Sequence, residues 1–238
     1  MESSEPGTRS TPLEDYALLS DLRTGPLVSR DGSIDWLCFP RFDSPSVFAA
    51  LIGTEDDGRW RLWAPGGQVV SRRYLPRTFV LETIWRTKTG TAQVLDFLPP
   101  RSQQADVLRK VSVLEGQVNI AHDLRIRFDY NRSKPWTRKI TLGDGTTTGL
   151  LSVAGPDALL LTGPQLHPDV PENEESEFLG RTSWPQPARR LQRCSLRQPH
   201  RRIHADCRRV PDLGIKLVPV PSSGSDTAGS RRSLGKDH

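Results

Sequence analysis

The chain has 238 residues, 35% hydrophobic and 26% charged, with a net charge of +5; that length can bury a sizeable core. No apolar run approaches the ~20 residues a membrane-spanning helix needs, so no membrane partner is expected. Three cysteines, Cys38, Cys194 and Cys207, form no CxxC pair and leave one over, which argues against a disulfide framework and for a reduced, cytoplasmic compartment.

Residues 1–12 are polar and read as a disordered leader without the apolar centre of a secretory signal. Pro26–Ser29 and Ile34–Phe39 flank Arg30-Asp31-Gly32-Ser33, and an Asp-Gly between apolar runs predicts a hairpin. Ser44-Pro45-Ser46 followed by Val47–Ile52 and Gly53 predicts one short capped helix. The β pattern then resumes. Trp60, Leu62 and Ala64 alternate with Arg59, Arg61 and Trp63. Phe79–Trp85 and Ala92–Leu98 flank a turn at Lys88-Thr89-Gly90, and Pro99-Pro100 closes the pair. Val107–Val113 and Val118–Phe128 are long strand candidates, Gly143-Asp144-Gly145 marks a turn, and Leu150–Val153 with Ala158–Leu161 form a last hairpin around Gly155-Pro156-Asp157. Regular strands with close turns and almost no helix predict an all-β, antiparallel sandwich over residues 13–165.

Beyond that the composition changes. Residues 166–238 read as a linker and a disordered Arg/Pro/Ser-rich tail; after Pro185 there is no Phe, Tyr or Trp, and too little apolar surface to offset ordering. Arg189, Arg190, Arg193, Arg197, Arg201, Arg202, Arg208 and Arg209 make the tail basic. Without aromatic residues among them to stack on bases, nucleic acid is not expected as a partner.

The stretch Leu13–Phe48, above all SRDGSIDWLC and PRFDSPS, closely resembles the start of bacterial glycoside hydrolase family 15 proteins, the glucoamylases and trehalases. Arg72–Pro76, Leu81–Thr83, Asp96–Arg101, Leu124–Tyr130 and Ala154–Leu159 continue the resemblance in order, so it covers roughly Leu13 to Leu161. It implies a trehalase-like N-terminal super-β-sandwich that precedes an α/α toroid in relatives. The toroid carries two catalytic glutamates of an inverting α-glucoside hydrolase, whose acid and base stand about 6.5–9.5 Å apart. This sequence has no length left for the toroid, so no catalytic residue carries over. A truncated chain, inactive alone, is expected, with the absent toroid as partner, an α-glucoside such as trehalose or an α-glucan as the family's ligand, and no cofactor. The alternative is a stand-alone carbohydrate- or partner-binding sandwich. Leu22 and Gly25-Pro26 depart from the Cys and small residues expected in relatives, a mild change in what reads as a buried turn. The tail also reads as an out-of-frame translation: codons for His200–Ser222 can be chosen that, read one base later, give AEFT, AGE and WYPSH, segments with which the family continues its sandwich.

Asp31, Asp35 and Asp43 could be mistaken for a catalytic carboxylate set, but turn, strand-end and helix N-terminal roles are the simpler reading. Arg41-Phe42-Asp43 is the candidate contact loop. Its charges and ring suit either sugar hydroxyls or a salt bridge to a neighbouring domain, and the interdomain role is favoured. Trp60 and Trp85 are expected in the core, with Trp63 and Trp136 less determined. Cys38 reads as a small buried apolar residue. His122 has no partner at metal-ligand spacing, so no metal site is expected.

Overall fold

A computed structural model of the chain describes residues 11–100, 105–142 and 148–163, and the strands at 177–184 and 212–217. Its strands are β1 (Ala17–Leu18), β2 (Leu27–Val28), β3 (Ser33–Cys38), β4 (Ser46–Phe48), β5 (Arg59–Trp63), β6 (Gln68–Tyr74), β7 (Leu81–Arg86), β8 (Gly90–Phe97), β9 (Asp106–Gly116), β10 (Val118–Arg125), β11 (Trp136–Thr141), β12 (Thr148–Ala154), β13 (Asp157–Thr162), β14 (Glu177–Trp184) and β15 (Asp212–Leu217). One sheet runs β1-β2-β3-β5-β10-β14 with β4 paired to β3, and the other runs β11-β12-β13-β15-β9-β8-β7-β6. All pairings are antiparallel. Helical structure among the described residues is limited to single 3-10 turns at Leu13–Asp15, Ala50–Ile52 and Glu55–Asp57.

The predicted hairpins form where the turn chemistry places them. Gly32, between β2 and β3, has φ +83°, and a side chain there would run into the carbonyl of Leu62; only glycine suits both conditions. The alternation of β5 is also met, with Trp60, Leu62 and Ala64 buried in one cluster with residues of both sheets. Trp85 joins that cluster as expected. Trp136 on β11 is 72% exposed.

Five segments differ from expectation. Residues 44–52 form no helix: Ser46–Phe48 is a strand paired with β3, and only Ala50–Ile52 turns as 3-10. A nine-residue segment is too short to be helical on its own, and the strand buries β-branched Val47 and aromatic Phe48, the latter opposite Leu37. β6 and β11 were not anticipated, because both alternate poorly and lie largely exposed at sheet edges. Within 166–238, the span expected to lack order, β14 and β15 complete the two sheets by backbone pairing with β10, and with β13 and β9. Ladder pairing is open to any non-proline backbone, so composition alone does not forbid it. The Gly143-Asp144-Gly145 turn lies outside the described residues.

Arg72 and Tyr74 on β6 donate to the carbonyls of Val28 and Leu18 in the other sheet, and a third, fully buried side chain ties the two sheets through the core. Arg109, on β9, is 0% exposed. It donates to both carboxylate oxygens of Asp96 on β8, at 2.9 and 3.3 Å, and to the carbonyls of Trp60 and Gly32 across the core, each at 2.7 Å. Its guanidinium also lies 5.1 Å from the Trp60 ring centroid. A charge this deep is tolerable because its donors find acceptors in both sheets and a carboxylate balances it.

Candidate functional site: a charged and aromatic end face

The candidate loop Arg41-Phe42-Asp43 links β3 to β4, and backbone contacts give it a defined shape. Ser44 N–H donates to the Arg41 carbonyl at 3.1 Å, Ser44 Oγ accepts from Arg41 N–H at 3.2 Å, and Phe42 N–H donates to the Arg23 carbonyl at 2.8 Å. The loop therefore leans on the 20–25 turn, where Asp21 Oδ1 accepts from the amides of Arg23 and Thr24 and Leu22 takes φ +68°. That turn was expected to be buried at Leu22, but the side chain is 82% exposed; Gly25 and Pro26 are the buried members. A Cβ on Gly25 would lie 2.7 Å from Leu18 and 3.1 Å from the Phe42 ring. The departure at position 25 thus lets Phe42 lie close over the backbone.

Arg41 and Asp43 form a two-bond ion pair, Nε to Oδ1 at 2.8 Å and Nη2 to Oδ2 at 2.7 Å. Both side chains are more than three-fifths exposed, and Phe42 is 59% exposed. The Arg41 guanidinium holds the Asp43 carboxyl below the usual carboxylate range, so the loop shows a fixed plus–minus pair with a ring beside it.

A second element stands over the strands that this loop joins. Asp129, Tyr130 and Asn131 are consecutive left-handed residues, with φ of 50°, 57° and 65°. Non-glycine residues occupy that region at a cost of about 1–3 kcal/mol each unless their surroundings hold them there. Here Ser46 holds the turn, its carbonyl accepting from Asp129 N–H at 2.9 Å and its Oγ from Tyr130 N–H at 2.8 Å. Asn131 Nδ2 donates to Asp57 at 2.9 Å. The Tyr130 ring lies 6.1 Å from Trp36, tilted by 50°, and the neighbouring Cys38 thiol raises the pKa of its hydroxyl. Burial pushes that thiol's pKa up, and the phenol pulls it part of the way back. Cys38 is buried, as expected.

Trp36, Tyr130 and Asn131 were not among the sequence candidates. The available signal was Asp-Tyr-Asn following the strand alternation, since Asp and Asn tolerate left-handed backbone.

The remaining acidic candidates are each tied to a structural partner. Asp31 pairs with Arg61 at 3.0 Å and accepts from Ser29. Asp35 accepts from the Tyr16 hydroxyl at 2.7 Å and from Ser33 Oγ; burial foremost, and then that bond, raise the Tyr16 pKa. Asp57, which was not a sequence candidate, closes a capping box with Thr54. The carboxyls of Asp43, Asp57 and Glu82 are each held below the ordinary carboxylate range by their hydrogen-bond donors. None of these three is therefore suited to the role of a glycosidase's general acid, which requires the opposite shift. The described residues contain no group of three or more His, Cys, Asp or Glu that could hold a metal, and no helix long and apolar enough to cross a membrane.

Fold and end face define an antiparallel β-sandwich that presents a preformed charged and aromatic surface at one end. Residues 5–177 match the family described as trehalase-like, N-terminal, and the chain belongs to that family. Among curated proteins it is 38% identical over 146 residues to a trehalase of Mycolicibacterium smegmatis, covering 52% of this chain and 22% of the relative. It is 39% identical over 141 residues to a trehalase of Mycobacterium tuberculosis, covering 51% and 21%, and 32% identical over 110 residues to trehalase 1 of Sulfolobus acidocaldarius, covering 46% and 18%. The chain thus spans about a fifth of the length of the curated relatives it matches. No solved structure matches it significantly.

Proposed function

We propose that this chain is the non-catalytic N-terminal sandwich of a cytoplasmic glycoside hydrolase of carbohydrate metabolism that acts on α-glucosidic bonds, in trehalose or α-glucans, and that it is inactive alone. The observation that carries this reading is the Arg41-Phe42-Asp43 loop, held in a defined shape with its charges and ring turned to solvent. An exposed ion pair contributes little to a domain's own stability, whereas its partners are free to exchange for groups on a docked surface. In this reading Arg41, Phe42 and Asp43 meet an α/α toroid that supplies the two glutamates. The relatives' names and the large share of their length beyond the matched region support it.

The test is glucose release from trehalose and from maltooligosaccharides, by the chain alone and after adding the separately produced C-terminal remainder of a relative. No release by the chain alone is expected. Activity should appear or rise with the remainder present, and fall when Arg41 and Asp43 are both changed to Ala. Turnover by the chain alone would sink the reading. The out-of-frame origin of the tail stays part of the proposal, with boundaries at 1–12, 13–165 and 166–238; the coding DNA tests it, since codons that restore no family-like strand rule it out.

A further inference from the structure

We infer that the outward face of the larger sheet is a second docking surface, which takes an apolar surface rimmed by carboxylates from the part of the relatives' polypeptide beyond the match; this rests on the chain being the N-terminal part of such a protein. Strand parity separates the two faces of that sheet. The rows holding Val94, Val107, Val111, Leu150, Leu159 and Leu161 point into the core. The alternate rows are apolar as well. On β8 and β9 they carry Leu95, Phe97 and Leu108, with Phe97 opposite Leu108. On β11 and β12 they carry Trp136, Leu151 and Val153, with Trp136 opposite Val153. None of these six belongs to the core cluster; Trp136 is exposed and the other five are half-buried. An antiparallel sheet with one face in water alternates apolar with polar residues, whereas apolar residues in both sets of rows mark a sheet covered on both sides. Apolar surface grouped in this way marks a contact with another surface.

The smaller sheet supplies the contrast. Its outward rows on β5 and β10 carry Arg59, Arg61, Asp123 and Arg125. They are closed by the ion pairs Arg59–Asp123 at 2.8 Å, Arg125–Asp123 at 3.4 Å and Arg61–Asp31 at 3.0 Å. On the larger sheet Glu82 is neutralised by Arg73 at 2.7 Å. Lys110, opposite Leu95, and Arg138, opposite Leu151, have no ion pair among the described residues; Arg138 lies instead 6.0 Å from the Trp136 ring centroid. The unpaired charges beside the apolar residues are thus cations, which carboxylates on an incoming surface complement. The matched region makes up 22% of the Mycolicibacterium smegmatis trehalase, so such a relative has ample chain to lay a third layer over the sheet.

The test is calorimetric titration of the full chain with the separately produced C-terminal remainder of the Mycolicibacterium smegmatis trehalase. Leu95→Lys with Leu151→Lys should weaken binding by about tenfold or more. Lys110→Glu with Arg138→Glu should weaken it by about fivefold or more and remove the loss of affinity that salt causes in the wild type. Urea midpoints near wild type would show that both variants keep the fold; should the lysine pair unfold the chain, the charge-reversed pair carries the test. Variants that bind like wild type, or a wild-type chain that does not bind, overturn the inference. The reading beneath it fails separately, by glucose release from the chain alone. Loss of binding in the Arg41→Ala, Asp43→Ala chain alone, with both sheet-face variants unimpaired, would leave that reading standing and overturn only the inference. If the remainder does not fold by itself, the chain decides: its uncovered face should bind the apolar dye ANS, and the charge-preserving control Lys110→Arg should match wild type while Leu95→Lys with Leu151→Lys loses most of the fluorescence. Unchanged fluorescence in the lysine pair overturns the inference.

Discussion

Arg109 is a cation with no exposed surface, and Asp96 is its only countercharge among the described contacts. Replacing one member of such a pair strands the other, so Arg109→Met should destabilise the fold by about 3–5 kcal/mol; urea titration followed by tryptophan fluorescence would measure it. A loss under about 1 kcal/mol would contradict the role assigned to this residue. His122 poses a different problem. It lies in β10, buried, and neither ring nitrogen has a hydrogen-bond partner among the described residues. Burial, with Arg109 adding to it and Asp123 opposing, lowers its pKa from 6.5 to about 4. The unfolded chain therefore binds the proton more readily than the native one between those values. Stability is fully present above pH 6.5, falls as the pH drops through that window, and levels off near pH 4, a total of about 3 kcal/mol from this group. His122→Leu should flatten that slope of stability against pH; an unchanged slope would place the acid sensitivity elsewhere.

At the level of elements, the left-handed turn at 129–131 depends on β4. Removing Ser46 Oγ leaves the Tyr130 amide without its acceptor, so Ser46→Ala should cost about 1–3 kcal/mol and accelerate exchange of that amide specifically. Wild-type exchange there would show that the turn holds itself. This element also marks where sequence reading stops. The Asp-Gly hairpin and the alternations of β5 and β7 through β10 were legible because each depends on neighbours within a few positions. The 44–52 segment was misread as a helix because its strand state depends on β3 burying Val47 and Phe48, a contact that local propensity does not register. The loop at Arg41–Asp43 was found from its residue types. Its companions Trp36 and Tyr130 were not, since nearly a hundred positions of chain separate them and only the sheet brings them together. Arg109 left a faint trace, a charge at the parity of Val107, Val111 and Val113.

For the molecule as a whole, the described strands form two sheets whose last members come from the Arg- and Pro-rich region. Cutting the chain after Gly163 removes β14 and β15 together. This frees the outer edge of β10, with eight paired residues, and opens the gap between β9 and β13. Uncovered edges recruit other chains, so this truncation should scatter light and elute as oligomers at concentrations where the full chain does not. A monomeric, cooperatively unfolding truncation would show that neither strand is needed.

The Arg109 tie also has a kinetic consequence. Its hydrogen bonds join positions 13, 49 and 77 residues apart, so it can close only once both sheets exist and have met face to face. Contacts that form after the rate-limiting barrier slow the reverse reaction and leave the forward one almost untouched. Stopped-flow traces of Arg109→Met should therefore show the penalty on the unfolding limb of the chevron, with refolding near the wild-type rate. This buried side chain between the sheets would set how long the native sandwich lasts, and hardly at all how fast it is made.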